Sequence, residues 1–250
     1  MKKTYFFRSL ALALSVVLLL SALGCGKKKG TAAGDASSAV TEREYAAALN
    51  LYLDVKNARS LAEKTKAEDQ LTNGLLSGVI QEYYRILCCS ASYLTEKTRE
   101  CDQSVNENKD AYGEDYRFSC GVVTEEKADK AAVDAFQKEL DLMLEGMQFS
   151  LEAMDGFDEA KWEEVGEIWK MSAQDAKAFR NVVEMAYAKL KTLQVTEGYW
   201  LDVRILATGS KLSEQKQVVS EEIYVYKVNG QWICADAIDC LWKLTEFNGY

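Results

Sequence analysis

Asn229-Gly230 stands between two apolar runs, Ile223 to Val228 (IYVYKV) and Gln231 to Ala235 (QWICA), and it limits the fold more than any other pair in the chain. A type I′ turn needs positive φ at both central positions, and Asn-Gly meets that need at little steric cost. The two runs are therefore expected to pair antiparallel. Upstream, Tyr199, Leu201, Val203 and Ile205 alternate with Trp200, Asp202 and Arg204, the period of a half-buried strand. Three antiparallel strands are expected, at 199–208, 219–228 and 231–237. Before residue 195 the apolar period is mostly helical. The class that follows is α+β, with a helix-rich first half and then helices packed on an antiparallel sheet closed by a C-terminal β-hairpin.

In chain order, Thr41-Glu42-Arg43-Glu44 has the pattern of a capping box and opens a first helix, with Tyr45, Leu49, Tyr52 and Leu53 as its stripe, running to about Thr65. A second helix is expected from about Ala67 to Thr95, with Leu76, Ile80, Tyr83, Leu87, Ser90 and Leu94 on one face. Gly74 and Gly78 lie inside it; they either admit a neighbouring backbone or break the helix in two. Residues 99–115 are polar and charged and are expected to form a loop. Tyr116, Phe118, Cys120 and Val122 then alternate as a strand. Helices are expected from about Glu125 to Met147, around Trp162 to Trp169, and after the cap Ser172-Ala173-Gln174-Asp175.

The first 25 residues have a different character. Lys2, Lys3 and Arg8 form a basic head, and Ser9 to Gly24 is almost wholly apolar, about the length of a signal-peptide core rather than a spanning helix. It ends in Ser21-Ala22-Leu23-Gly24-Cys25, which resembles the lipobox of bacterial lipoproteins, with Ala22 where that motif favours Leu. The resemblance implies cleavage of a signal peptide at 1–24 and a diacylglyceryl group on Cys25, which would hold the chain on the extracytoplasmic face of a cell membrane. Lys27, Lys28 and Lys29 follow. They either add attraction to an anionic leaflet or belong to a solvated linker. Residues 25–40 are expected to be lipid anchor and flexible tether, 41–110 a helical segment, and 111–250 an α+β domain.

Charge and composition exclude several functions. The chain carries −9 overall; residues 1–30 hold six Lys/Arg and no acid, so residues 31–250 carry −15. Such a surface repels phosphate backbones, and nucleic acid is excluded as a partner. The chain has no histidine, which removes Ser-His-Asp and Cys-His catalysis and His-ligated zinc. Neither a metal nor a cofactor is expected. The acidic segment Asp155 to Glu167 lacks the order of a calcium loop and is expected as a solvated helix face. Besides Cys25, six cysteines remain: Cys88, Cys89, Cys101, Cys120, Cys234 and Cys240. In an exported protein they suit up to three disulfides; the other account is that they are free buried thiols.

The hairpin VYKVNGQWICAD, preceded by a long strand and helices, together with Tyr116-Arg117-Phe118-Ser119-Cys120 and the helix after it, resembles the ends of uncharacterised bacterial lipoproteins with a nuclear-transport-factor-two-like, cystatin-like cone domain. The resemblance covers residues 111–240 and implies helices in the hollow of a curved sheet. That fold hosts enzymes and binding modules alike. The expectation is a non-catalytic binding or accessory domain at the cell surface, whose partner is a protein, a wall component or a small ligand. Tyr199, Trp200, Tyr224 and Tyr226 are the candidate ligand-facing residues, unless helices cover them. The alternative is a cone-pocket enzyme or small-ligand binder using one of those tyrosines with Asp202 or Asp236.

Overall fold

In the computed structural model residues 43–245 are described, apart from the side chain of Cys240; the leader, Cys25 and tether expected at 1–40 lie outside the described residues. The Asn229-Gly230 turn forms as its sequence requires, with φ of +48° and +81°. It joins β3 (Lys216–Val228) to β4 (Gln231–Cys234). The Asn229 side chain secures the turn to the approach to β2 (Val195–Thr208): its Oδ1 accepts from Gln194 N at 2.8 Å and its Nδ2 donates to the Thr192 carbonyl at 3.0 Å. β1 (Arg117–Lys127) completes one curved, open sheet of order β1-β2-β3-β4, antiparallel throughout.

Pleating divides the strand residues between two cores. Leu201, Val203, Ile205, Ile223, Val225, Trp232 and Cys234 face one side, where α1 (Ala46–Asn57) lays Tyr45, Ala48 and Leu49 against them. Each large apolar side chain buried there contributes roughly 1.5–3 kcal/mol. Tyr226, Val228 and Ile233 face the other side and join a helical core. That core is built by α3 (Val79–Leu87), α5 (Lys130–Asp155), α6 (Glu159–Trp169) and α7 (Ala173–Leu190), with Ile238, Leu241 and Leu244 from the C-terminal 3-10 turn and the short α8 (Trp242–Thr245). The molecule is therefore α+β, with helices on a curved antiparallel sheet.

Several boundaries differ from the sequence expectation. The first helix stops at Asn57, and α2 (Leu61–Gln70) begins after Ser60, whose hydroxyl accepts from Glu63 N at 3.2 Å while the Glu63 carboxylate accepts from Arg59 N at 2.7 Å. Ser60-Leu61-Ala62-Glu63 thus caps a new helix inside what reads as one, in the pattern of a capping box but with Glu63 reaching one residue further back, to Arg59 N. The helix expected at 67–95 breaks at 71–78, where Gly74 and Gly78 both have positive φ. The buried Asp69 carboxylate then caps α3, accepting from the backbone N–H groups of Gly78, Ile80 and Gln81. Residues 99–115, expected as a loop, are mostly helix: α4 (Ala91–Tyr112). Only Cys101 and Val105 of α4 are buried, so its apolar stripe is too thin to register as a period. β1 runs on to Lys127, and α5 starts at Lys130, capped by Asp129, whose carboxylate accepts from Ala132 N at 2.8 Å.

Candidate functional site

α1 is fastened across the sheet by two tyrosine–carboxylate pairs. Tyr45 donates to Glu125 on β1, which also binds Arg43 at 2.9 Å. Tyr52 donates to Glu221 on β3 at 2.6 Å, and Lys56 binds the other oxygen of that carboxylate at 2.9 Å. Burial, then the neighbouring carboxylate, pushes both phenols above their ordinary range. These protons stay on oxygen, so the hydroxyls act as fixed donors. Beyond Lys56, the Asn57 side chain donates to the Phe118 carbonyl at 3.0 Å and accepts from Phe118 N at 2.8 Å, filling part of the open hydrogen-bonding edge of β1.

The chain then turns away from the sheet, and a cavity of about 320 Å3 lies where it does so. The α1–α2 corner supplies Val55, Lys56, Ala58 and Lys64. α4 supplies Cys101, Ser104, Val105 and Asn108, whose 3–4 spacing places them along one helical face. The sheet contributes Phe118, Ile205, Val218 and Val219. Two consecutive strand residues can line one cavity because the register shifts here: Ile205 pairs with Val219 but Leu206 with Gln217, leaving Val218 as a bulge. Val218 and Val219 are each 40% exposed, among the most open large apolar residues described.

Tyr116 also lines this cavity. Its side chain is fully buried, and its hydroxyl has no hydrogen-bond partner among the described residues. Arg59 holds it in place: the guanidinium carbon lies 3.4 Å from the ring centroid, and its nitrogens donate to the carbonyls of Glu114 and Tyr116. Such stacking orients the phenol without using its hydroxyl. Cys101 in the lining is held in its thiol form by burial. The lining contains ammonium, hydroxyl, amide and thiol groups and no carboxylate. It can bind and orient a ligand but supplies no base of its own.

The four aromatics singled out in the sequence do not gather at one place. Tyr199 turns to the α1 side, 5.4 Å from the Tyr45 ring and 5.5 Å from the Trp232 ring. Tyr226 is buried, stacked on Phe136 at 4.0 Å with planes 8° apart. Trp200 and Tyr224 are direct cross-strand partners on the opposite face from Tyr199, with Asp202 paired to Glu222 in the next row. Tyr199 and Asp202 thus lie on opposite faces and form no catalytic pair. Asp236 keeps a carboxyl raised by burial and stands within the electrostatic reach of Glu221 and Lys56.

Cys88, Cys89, Cys101, Cys120 and Cys234 are free thiols. Burial raises every one of them, Cys120 to about 11; at Cys89 the Asp175 carboxylate adds to the rise. A reactive cysteine needs the opposite shift, so the Cys88-Cys89 pair is not an activated redox site. Asp155 to Glu167 forms helix ends and surface ion pairs such as Asp155 with Arg180 at 2.6 Å. Among the described residues no acidic or thiol cluster fits a metal ion, and no helix is long and apolar enough to cross a membrane. Comparison of the chain with protein-family models, with curated proteins and with solved structures finds no match.

Proposed function

We propose that this chain is a lipid-anchored, extracytoplasmic binding protein, non-catalytic, that takes a small ligand into the cavity between the α1–α2 corner, α4 and the sheet. The observation that carries this is the cavity itself. Its lining sets Val55, Val105, Val218 and Val219 beside the ammonium, hydroxyl and amide groups of Lys56, Lys64, Ser104 and Asn108, so apolar and polar contacts converge in one place. The lipobox resemblance at Cys25 and the likeness of residues 111–240 to cone-domain lipoproteins support the setting.

The test is native mass spectrometry of the full chain isolated from its membranes. A defined added mass is expected, absent from Val219→Trp, which fills the cavity mouth from an exposed position. The same added mass on both proteins, or none on either, would remove the cavity from consideration. Anchoring is tested separately: Cys25→Ala should move the protein from the membrane fraction to the soluble fraction, and full retention on membranes would refute lipidation.

A further inference from the structure

We infer that the ligand of this cavity is a small amphiphilic anion, a monocarboxylate with a short apolar body; this rests on the binding role proposed above and specifies its chemistry.

The apolar half of the argument is Val55, Val105, Val218 and Val219, which give the cavity an apolar wall that continues outward to a mouth. Val218 and Val219 remain 40% exposed there, and a cover of apolar atoms would take that surface out of water. The volume, about 320 Å3, lies at the small end of ligand sites and suits a short chain or single ring rather than a diacyl lipid.

The polar half is a matter of sign. Two ammonium groups, Lys56 and Lys64, line the cavity, and no carboxylate does. Lys56 is already engaged by Glu221. Lys64 makes no ion pair among the described residues, in a region of the chain (31–250) that carries −15. Ser104 and Asn108 offer further hydrogen bonds. A cationic ligand would face both lysines. A sugar would set its hydroxyls against the four valines. A carboxylate on an apolar stem satisfies Lys64 and the valines together.

The experiment compares three probes of one length, hexanoate, hexanol and hexylammonium, on the full chain in phosphatidylcholine nanodiscs. Binding is read by saturation-transfer NMR, and Val219→Trp defines the signal that does not come from the cavity. Hexanoate should bind at least tenfold more tightly than hexylammonium. Lys64→Gln, at an exposed position, should weaken hexanoate at least fivefold and leave hexanol unchanged. Hexylammonium binding as well as hexanoate, or hexanoate unaffected by Lys64→Gln, would overturn the anion inference while leaving a binding cavity in place. If none of the three probes distinguishes the wild type from Val219→Trp, the cavity role fails and this inference with it.

Discussion

Two buried polar groups, Tyr116 and Asp69, sit at opposite ends of hydrogen-bond satisfaction, and their substitutions should diverge accordingly. The Asp69 carboxylate accepts from three backbone N–H groups at 2.9–3.3 Å and holds the start of α3 against the end of α2. Asp69→Ala strips those donors of their acceptor in a buried place and should cost about 2–4 kcal/mol. A urea titration should show the midpoint falling with little change in slope. Tyr116 is the reverse case. Its hydroxyl makes no hydrogen bond among the described residues, so Tyr116→Phe removes an unmet donor and keeps the ring under Arg59. Its unfolding midpoint should equal or exceed that of the wild type, because removal of an unpaired polar atom is neutral or favourable. A loss above about 1 kcal/mol would mean that the hydroxyl has a structural partner.

Among the elements, the β2–β3 pair shows how backbone and side chains depend on one another. Gly198 lies opposite Tyr226, and a Cβ at Gly198 would come within 2.6 Å of the Tyr226 ring. That bare stretch of β2 lets the ring lie flat between strand and helix, stacked on Phe136. Gly198→Ala should push the ring off Phe136 and cost about 1–3 kcal/mol through overpacking. The near-ultraviolet circular dichroism should weaken while the far-ultraviolet spectrum holds; two unchanged spectra and an unchanged midpoint would show that the stack can shift freely. Elements of this kind were legible in the sequence to different degrees. The β3–β4 hairpin was legible because Asn229-Gly230 is a local steric statement. The Ser172 cap of α7 was legible too, with its hydroxyl accepting from Asp175 N at 3.1 Å. α4 was not, because a helix exposed on most of its surface carries almost no hydrophobic period. The box Ser60-Leu61-Ala62-Glu63 is equally local and stands in the sequence as plainly. The cavity was illegible for a different reason. It needs the α1–α2 corner, α4 and a bulge at Val218 together, and nothing in the sequence pairs residue 105 with residue 218. The strand aromatics stand out by type, yet pleating sends Tyr199 and Trp200 to opposite faces, so type alone does not place them.

At the scale of the whole molecule, the acidic surface sets the response to pH, and the C-terminal 3-10 turn concentrates it. Burial raises the Asp239 carboxyl to about 6, and the nearby Asp236 and Glu139 carboxylates add to the rise. Asp236 and Glu139 are themselves raised by burial. A carboxyl raised in the folded state holds more protons folded than unfolded, so stability falls as pH rises from about 4 through about 6 and levels off above that. The lowered carboxylates, Glu82, Glu100, Asp115, Asp175 and Glu197, carry the opposite sign and act only at lower pH. They are largely exposed, so salt and solvent screen them strongly. The two trends together place maximal stability below neutrality, for a domain already burdened by self-repulsion. Asp239 is itself exposed at the surface although neighbouring atoms crowd its carboxyl, and solvent screening holds its own share below about 1 kcal/mol. Asp239→Asn should therefore raise the melting temperature at pH 7.5 by about 2 °C and flatten the rise seen on going from pH 7.5 to pH 5. A variant as pH-sensitive as the wild type would assign the effect to Glu139 and Asp236. A wild type that melts lower at pH 5 than at pH 7.5 would mean that the ion pairs on the acidic surface outweigh the turn.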